Sequence, residues 1–314
     1  MADIYLRDRE MEELERDLEK KIQENEPWVS ASDSLRRYIR KSKRFPSIWC
    51  AGCSIGIVMG ALIRAIDRLG LKNDEVALIS GIGCTARMPV YMDFNTLHTT
   101  HGRALAFATG LKIARPAMKV IVVMGDGDAV AIGGNHFIHA ARRNVGITTI
   151  VVNNSIYGMT GGQYSPTTPI DARATTAPYG NVEPPFPICE LAKAAGAVFV
   201  ARSTVFHAVE LDRYIEQAIR KDGFSLVEAV GYCHTTYGRI NKMGTPVDML
   251  KRLKENSVAL AAAEKMTPAE LGGRITRGVL WDIERPEYNT LYDQVMLRAQ
   301  GGAEGTKPRH AGGI

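Results

Sequence analysis

Two polar motifs, Gly-Asp-Gly-Asp at 125–128 and Asn-Asn at 153–154, each come directly after an apolar segment of the chain. Asn154 follows Asp126 by 28 residues, about the length of one helix and one strand. If the two apolar segments are neighbouring parallel strands, the oxygens of Asp126 and Asn154 converge at one edge of the sheet. Carboxylate and amide oxygens suit Mg²⁺, whose shell phosphate oxygens would complete. The residues therefore predict a magnesium-diphosphate site, with a structural turn as the alternative.

The glycines on either side of Asp126 strengthen this interpretation. Gly125 and Gly127 carry no Cβ atom, so the backbone can approach a diphosphate closely and direct N–H groups towards it. A Gly-Asp-Gly turn alone is a weak signal, because an Asp at a strand end is common in α/β proteins. The Asn pair at the next strand end favours the metal-diphosphate site.

Four of the five cysteines lie where loops can gather them. Cys50 and Cys53 form a Cys-x-x-Cys turn before a predicted helix, and Cys84 and Cys233 each follow a predicted strand. Three loops at one sheet edge can bring these four sulfurs together. Cys189 lies inside an amphipathic helical pattern, so we expect a buried core residue there. Four thiolates suit either a tetrahedral zinc ion or an iron-sulfur cluster, and their spacing does not choose between them.

The elements that must position these residues alternate along the chain. Amphipathic patterns predict helices at 55–69, 102–114, 135–144, 188–195 and 206–221. Continuous apolar segments predict strands at 76–80, 120–124, 148–152, 197–201 and 225–230. The repeated strand-helix-strand order indicates an α/β fold with a doubly wound, mostly parallel sheet. Ligands of such sheets bind at the carboxyl ends of the strands, where both polar motifs lie.

The chain divides into three predicted regions. Residues 1–27 are interpreted as a charged N-terminal helical arm and 28–245 as the α/β domain. Residues 246–314 are interpreted as a C-terminal helix, at 248–266, and an extended tail that either frays or packs on a partner subunit. The segment 154–187 is rich in Gly, Thr and Pro without helical periodicity, so we expect a long functional loop there.

Composition disfavours several other classes of protein. Hydrophobic residues make up 45% and charged residues 23%, close to globular averages. The sequence shows no secretory signal and no apolar run long enough to cross a bilayer, so we expect no membrane insertion and a cytoplasmic location. The net charge of +5 is small and is taken as dispersed, which predicts no nucleic-acid partner. A mildly basic surface would also suit an acidic protein or an anionic cofactor.

The stretch Gly-Asp-Gly-Asp-Ala-Val-Ala-Ile-Gly-Gly-Asn-His, continued by Val-Val-Asn-Asn-Ser-Ile-Tyr-Gly, resembles the thiamine-diphosphate motif. The resemblance implies the thiamine-diphosphate-binding (diphosphate-domain) fold, with Mg²⁺ held by Asp126, Asn154 and the carbonyl of Ile156. The remaining cofactor-binding residues that it implies are Gly83, Cys84, Gly125, Gly127, Asp128, Gly158, Met159 and Thr160.

A longer series of motifs is similar to β subunits of 2-oxoacid:ferredoxin oxidoreductases. In order, the series contains Cys-x-x-Cys, Ser-Gly-Ile-Gly-Cys, His-Gly-Arg-Ala, Gly-Asp-Gly-Asp with Asn-Asn, and a late Cys followed by Gly-Arg, between about 45 and 245. The resemblance implies decarboxylation of a 2-oxoacid on thiamine diphosphate, with coenzyme A as co-substrate and electrons leaving singly to ferredoxin. It also implies a 4Fe-4S cluster on Cys50, Cys53, Cys84 and Cys233.

Within that family, Tyr-Gly-Met-Thr-Gly-Gly-Gln-Tyr-Ser-Pro-Thr-Thr-Pro and Cys-His-Thr-Thr-Tyr-Gly-Arg look most like the branch that uses 2-oxoglutarate. Some relatives carry a Lys where Gly161 stands, and losing that cation would change how a distal carboxylate is held. Pyruvate or another 2-oxoacid therefore stays open as the substrate. The motifs also leave open a non-redox thiamine diphosphate decarboxylase subunit and a zinc-stabilised scaffold subunit.

The resemblance also implies a separate α subunit, which supplies the Glu that activates the thiamine ring, in an αβ heterodimer or an (αβ)₂ assembly. In this chain, His98, His101 and Arg103 lie before or at the start of a predicted helix whose positive end can face an anion. Contact with substrate or phosphate and an ordinary capping role are both compatible with that position. We place these three residues and Thr160 among the candidate catalytic residues.

Overall fold

The computed structural model of the chain describes residues 33–43 and 45–300, so the predicted arm at 1–27 and the end of the tail lie outside the described residues. The described residues form an eight-stranded sheet in the order β2-β1-β3-β4-β6-β5-β8-β7. Its strands are β1 Val76–Ser80, β2 Asn95–His98, β3 Lys119–Gly125, β4 Ile147–Asn153, β5 Phe199–Thr204, β6 Ser225–Val230, β7 Ser257–Ala259 and β8 Ile275–Asp282.

Helices surround this sheet. The longer ones are α2 Ile55–Arg68, α4 Ala104–Ala114, α5 Gly134–Arg143, α6 Ile188–Ala195, α7 Ala208–Arg220, α8 Pro246–Glu255 and α11 Tyr288–Ala299. The shorter ones are α1 Asp33–Tyr38, α3 Met88–Tyr91, α9 Leu260–Ala263 and α10 Pro268–Leu271. No helix in the described part of the chain is long and apolar enough to span a membrane.

The predicted doubly wound, mostly parallel sheet is confirmed. Each neighbouring pair of strands is parallel except β5 and β8, which run antiparallel. All five residues of β1 are buried, as are the central residues of β3 and β4, because helices cover both faces. This two-sided burial explains why the sequence shows continuous rather than alternating apolar segments.

Two apolar layers enclose the sheet. Helices α2 and α7 pack on one face, through side chains such as Leu62 and Ile215. Helices α4, α5 and α6 pack on the other face, where the buried rings of Phe137 and Phe224 meet edge to face at 5.7 Å. The rigid sheet between these layers fixes where each strand ends, and hence where the loops at its carboxyl edge begin.

The chain after residue 245 differs from the prediction. In place of one helix at 248–266 and an extended tail, α8 ends at Glu255 and is followed by β7, α9 and α10. Strand β8 then pairs with β5, from Phe199 opposite Asp282 to Arg202 opposite Gly278. Only four of its eight residues are apolar, and these are half-buried and show neither a continuous nor a strictly alternating pattern, so the sequence signal is weak. Packing of this region on a partner subunit stays a prediction.

One buried side chain ties this C-terminal region to the sheet. Asn144 ends α5 in the left-handed conformation, with φ of 53°. Its Oδ1 accepts the Phe224 N–H at 2.8 Å, and its Nδ2 donates to the carbonyls of Arg285 at 3.2 Å and Pro286 at 3.0 Å. Asn tolerates this backbone conformation better than most residues and here satisfies three backbone groups at once.

We expect Asn144→Ala to lower the free energy of unfolding by about 3 kcal/mol, because three hydrogen bonds are lost and Ala is strained at positive φ. Asn144→Gly loses the same bonds without the strain and should be about 1 kcal/mol more stable than the Ala variant. Denaturant unfolding of the three proteins measures both differences. Equal stability of the wild type and Asn144→Ala would contradict this account.

Candidate active site

The carboxylate of Asp126 lies at the end of β3 and is only 2% exposed. Its Oδ2 accepts hydrogen bonds from the hydroxyls of Ser165 and Thr167, both at 2.5 Å. Burial raises the pKa of Asp126, and these two hydroxyl groups act in the opposite direction. The long loop after β4 thus folds back over the end of β3 to solvate a buried acid.

The Thr167 hydroxyl has two acceptors but one proton. Its Oγ1 lies 2.5 Å from Asp126 Oδ2 and 2.9 Å from Asn153 Oδ1. Both acceptors also have another donor, Ser165 Oγ for Asp126 Oδ2 at 2.5 Å and Ser155 N for Asn153 Oδ1 at 3.3 Å. A cluster of carboxylate, amide and hydroxyl oxygens around one buried charge suits a hard divalent cation. The donor set fits the magnesium ion that the sequence predicts at this edge.

The other two predicted magnesium ligands follow β4. The last paired residues of β3 and β4 are Gly125 and Val152, so Asp126 and Asn154 both lie just beyond the same end of neighbouring strands. Ser155 has φ of 59°, a left-handed conformation that is uncommon for residues other than Gly. Ser155 lies between Asn154 and Ile156, and Ile156 is only 3% exposed. A strained turn between candidate ligands is typical of a functional site.

The two glycines predicted to approach a diphosphate have different surroundings. A Cβ atom on Gly127 would lie 2.2 Å from the Tyr157 ring, so the tyrosine occupies that side of the glycine. Beside Gly125, by contrast, the nearest atom is Thr85 Oγ1 at 3.8 Å, which leaves open space. Contact of either glycine with a diphosphate stays a prediction.

Asp128 likewise contacts protein rather than open space. It is 2% exposed, and its Oδ1 accepts the Gly102 N–H at 2.7 Å and lies 2.5 Å from His101 Nδ1. Because Oδ1 also accepts backbone N–H groups, the hydrogen in the short contact is assigned to His101 Nδ1, so Nε2 is the ring nitrogen that Asp128 does not contact. Asp128 therefore holds the loop before α4 and fixes the orientation of His101.

Two cysteine sulfurs flank one glycine in the turn after β4. A Cβ atom on Gly158 would lie 3.3 Å from Cys233 Sγ and 3.9 Å from Cys84 Sγ. Cys84 follows β1 and Cys233 follows β6, with β3 and β4 between those strands. The loops thus bend inward over the middle of the sheet edge and bring together sulfurs from well-separated strands.

The turn that carries Cys50 and Cys53 is fixed to both of those loops. Trp49 Nε1 donates to the Cys84 carbonyl at 2.8 Å. Ser54 Oγ donates to the Tyr232 carbonyl at 2.9 Å, which places the turn beside Cys233. Burial raises the pKa of Cys53 to about 11, and the neighbouring thiols of the other three cysteines act in the same direction. All four predicted cluster ligands therefore lie within electrostatic reach of one another.

Zinc and an iron-sulfur cluster both accept four thiolate ligands. Among residues 33–43 and 45–300, no three His, Cys, Asp or Glu side chains have the spacing that a single bound metal ion requires. Ligation of either group by Cys50, Cys53, Cys84 and Cys233 stays a prediction.

Cys189 is 1% exposed, as the sequence predicts for a core residue.

A tight turn at 157–163 borders the sulfur-lined region. Tyr157 N donates to the Gln163 carbonyl at 2.9 Å, and Gly162 N donates to the Tyr157 carbonyl at 2.9 Å. Gly161 and Gly162 have φ of 112° and 93°, values that favour glycine. Thr160 is exposed and donates to the Gln163 side chain, and Met159 is 45% exposed. Both side chains are therefore accessible from solvent.

Two predicted catalytic residues have structural partners. Ser80 Oγ donates to the Ala86 carbonyl at 3.0 Å and so accepts from His98 Nδ1, also at 3.0 Å. Arg103 Nη1 donates to the Ile132 carbonyl at 3.1 Å. His98 therefore fixes the end of β2, and Arg103 joins the start of α4 to the segment after Asp128. Contact of either with a substrate stays a prediction.

A buried ionic network that the sequence pattern does not predict contacts Asn153. Glu228 in β6 is 3% exposed and accepts from Arg202 Nε at 2.7 Å, Asn153 Nδ2 at 2.8 Å and the Cys189 thiol at 3.0 Å. Burial opposes ionisation of Glu228, but the charge of Arg202 and the hydrogen bonds outweigh it, so the net pKa shift is downward. Glu228 thereby orients the amide whose oxygen meets Thr167. The signal that could have revealed this network is a charged residue inside an apolar strand.

We expect Glu228→Gln to lower the free energy of unfolding by about 3 kcal/mol, because it leaves the Arg202 charge buried without a counter-charge. The double variant Glu228→Gln with Arg202→Met should recover part of that loss, giving a favourable coupling in a double-mutant cycle. Cys189→Ala, which removes a neutral contact to the same carboxylate, is the matched control and should cost about 1 kcal/mol. A Glu228→Gln variant as stable as Cys189→Ala would contradict the network.

Known proteins resemble this chain in sequence and in structure. Residues 81–229 match the family model of the thiamine pyrophosphate enzyme C-terminal TPP binding domain. The chain is 52% identical over 252 residues to the 2-oxoglutarate synthase subunit KorB of Methanocaldococcus jannaschii, covering 80% of this chain and 93% of that protein. It is 56% identical over 219 residues to the subunit of the same name from Archaeoglobus fulgidus, covering 70% of this chain and 79% of that protein.

A solved structure extends the likeness to three dimensions. It is the 2-oxoglutarate:ferredoxin oxidoreductase from Magnetococcus marinus, with 2-oxoglutarate, coenzyme A and succinyl-CoA bound. The likeness has a TM-score of 0.76 at 31% sequence identity and covers 90% of this chain and 95% of that chain. The chain therefore belongs to the family of 2-oxoacid:ferredoxin oxidoreductase β subunits, within the branch that contains the 2-oxoglutarate synthase KorB subunits.

Proposed function

We propose that the chain is the β subunit of a 2-oxoglutarate:ferredoxin oxidoreductase. The reaction joins 2-oxoglutarate and coenzyme A to give succinyl-CoA, CO₂ and one proton, while two oxidised ferredoxins each accept one electron, and it can run in reverse. The substrate follows from the names of the relatives, which are 2-oxoglutarate synthase subunits. A protein with reduced thiols of this kind belongs in the cytoplasm.

One observation carries the proposal: a single turn borders both candidate centres. The turn contains Asn154 and Ile156, which follow β4 beside the buried carboxylate of Asp126. Two residues later, Gly158 lies against the sulfurs of Cys84 and Cys233. A cofactor held on the oxygen side would therefore lie next to a cluster held on the sulfur side. Short separation is what single-electron transfer between them requires.

The residues divide into two ligand sets. Asp126, Asn154 and the Ile156 carbonyl would hold Mg²⁺ and, through it, the diphosphate of thiamine diphosphate, with Gly125 as the open backbone. Cys50, Cys53, Cys84 and Cys233 would hold a 4Fe-4S cluster. When bound, thiamine diphosphate supplies the carbon nucleophile and electron sink for decarboxylation, and the cluster accepts electrons one at a time.

The chain's own groups orient and shield these centres. Ser165 and Thr167 keep the Asp126 carboxylate solvated and exclude bulk water from its Oδ2. His101, held through Nδ1 by Asp128, has Nε2 free to accept or hold a proton near the turn at 157–163. Its ring lies edge-on to that of Tyr157, 6.2 Å between centroids. The acid that activates the thiamine ring would come from an α subunit in an αβ or (αβ)₂ assembly.

The proposal as a whole is tested on the anaerobically co-expressed α and β subunits. We expect coenzyme A-dependent reduction of a low-potential viologen dye with 2-oxoglutarate, and a lower rate with pyruvate and other 2-oxoacids. Preference for pyruvate would change the substrate, whereas no turnover with any 2-oxoacid would contradict the proposal.

We expect Asp126→Asn to weaken magnesium-dependent binding of thiamine diphosphate by at least about 100-fold, because the variant lacks the charge that the cation needs. Calorimetric titration of the assembled enzyme with the cofactor and Mg²⁺ measures the loss. Asp222→Asn, which removes an acid near the amino end of β6, is the control and should bind normally. Unchanged affinity in Asp126→Asn would rule out this ligand assignment.

Single Cys→Ala variants distinguish the predicted cluster ligands from the core residue Cys189. Cys84→Ala and Cys233→Ala should lose iron, acid-labile sulfide and the broad visible absorption of a 4Fe-4S cluster, because each removes one thiolate ligand. Cys189→Ala should retain all three. Zinc in place of iron would favour the scaffold subunit, and neither metal would favour the non-redox decarboxylase. Full iron content in Cys84→Ala would contradict the assignment of that ligand.

A further inference from the structure

The turn with Cys50 and Cys53 lies between two strongly basic segments. Residues 35–50 contain six Lys or Arg and no Asp or Glu, and residues 234–254 contain five Lys or Arg and one Asp. The whole chain carries a net charge of only +5, so the rest of the sequence is net negative. Charge that looks dispersed in the composition is therefore concentrated on either side of one candidate ligand turn.

We propose that an acidic one-electron carrier of the ferredoxin class docks on this basic face. The basic face is defined by exposed or half-buried side chains on both sides of Cys50, namely Arg40, Lys41, Lys43, Arg239, Lys242, Lys251, Arg252 and Lys254. The inference rests on the proposed function, since it assumes that electrons leave through a cluster on the four cysteines.

Exposure identifies the point where electrons would leave. Cys50 is exposed, whereas Cys53, Cys84 and Cys233 are half-buried. Beside it, Ile48 is 66% exposed and Phe45 is 46% exposed, so an apolar centre adjoins the exposed ligand. A small apolar centre with a charged rim suits a weak, short-lived complex of the kind that electron carriers form.

Both basic segments are anchored to the turn. On one side, Ile48 N donates to the Tyr91 hydroxyl at 2.6 Å, and Trp49 donates to the Cys84 carbonyl. On the other side, a Cβ atom on Gly52 would lie 2.9 Å from Pro246, the first residue of α8. The next turns of α8 carry Lys251 and Arg252, which are exposed. The cations therefore have fixed positions around the exit point.

Acids neutralise only part of this charge. Asp248, in the first turn of α8, partly neutralises Lys251 and Arg252. Arg40 donates to the Met92 carbonyl and to the Thr96 hydroxyl, so its position is fixed but its charge remains. Such a field attracts an anionic surface and raises the rate of encounter by about 10-fold or more at low ionic strength. An acidic carrier matches both the charge and the electron exit.

The test uses the assembled α and β subunits with an acidic 2[4Fe-4S] ferredoxin as the probe. We expect Lys251→Glu combined with Arg252→Glu, and separately Lys43→Glu, to raise the KM for ferredoxin by about 10-fold at low salt. The kcat and the rate with a small viologen dye should not change. Added salt should shrink the difference, because it screens exposed charges.

The matched control is Arg115→Glu combined with Arg143→Glu. These exposed residues follow or end α4 and α5, at the amino ends of β3 and β4 and so at the opposite edge of the sheet. The control changes the net charge as much as the α8 double variant does, and its KM for ferredoxin should stay within about twofold of the wild type. An equal effect of both double variants would mean that only overall charge matters and would overturn the proposal.

A second measurement does not depend on turnover. Biolayer interferometry with immobilised ferredoxin should show a weaker dissociation constant for the basic-face variants and not for the control. Tight binding of a DNA duplex without binding of ferredoxin would instead identify a nucleic-acid surface and overturn the proposal. If dye reduction fails in every protein, the proposed function fails, while the binding measurement still decides the docking surface.

Discussion

The charge of a carboxylate buried at the end of a strand must be stabilised by hydrogen bonds or by a counter-charge. The arrangement of this active site follows from how the charge of Asp126 is stabilised. The hydroxyls that do so belong to Ser165 and Thr167, far along the loop that leaves β4. The loop must therefore return across the sheet edge. In returning, it forms the turn with Gly158, which separates the oxygen-lined and sulfur-lined regions.

A second buried charge supports the first from behind. The ion pair of Glu228 and Arg202 joins β6 to β5, and Glu228 also holds the amide of Asn153 in β4. The oxygen of the Asn153 amide contacts the Thr167 hydroxyl. Glu228 and Asp126 are therefore linked through polar side chains across neighbouring strands. Neither acid has room to move independently. The rigidity of the sheet is thus extended into the loop that carries the chemistry.

Helices and strands whose sequence pattern has a single dominant physical cause were predicted accurately. The segments 76–80, 188–195 and 225–230 match β1, α6 and β6, because two-sided burial and one-sided amphipathicity leave clear patterns. Strand β2 was not predicted, because its Asn-Thr-Leu-His sequence is mostly exposed at an edge. Strand β8 was not predicted either, because charged residues interrupt its apolar residues. Edge strands are specified by their neighbours more than by their own composition.

The site shows a similar division. The positions of Asp126, Asn154, Cys84 and Cys233 follow from strand ends, which the sequence locates well. The partners of Gly127 and Asp128 depend instead on where Tyr157 and His101 arrive in space, and local sequence does not encode those loop paths. Hydroxyl donors such as Thr167 are equally hard to foresee, because the loop contains several Ser and Thr residues of the same type.

The left-handed glycines at 161 and 162 restrict how this enzyme could acquire a different substrate preference. A lysine introduced at position 161, where some relatives carry one, would add its positive charge only together with a change in the backbone, because a side chain at φ of 112° is strained. Altered recognition of a substrate's far end is more accessible through a change in loop length, or through a residue on another segment. The route to new specificity in this lineage is therefore set by backbone geometry as much as by side-chain chemistry.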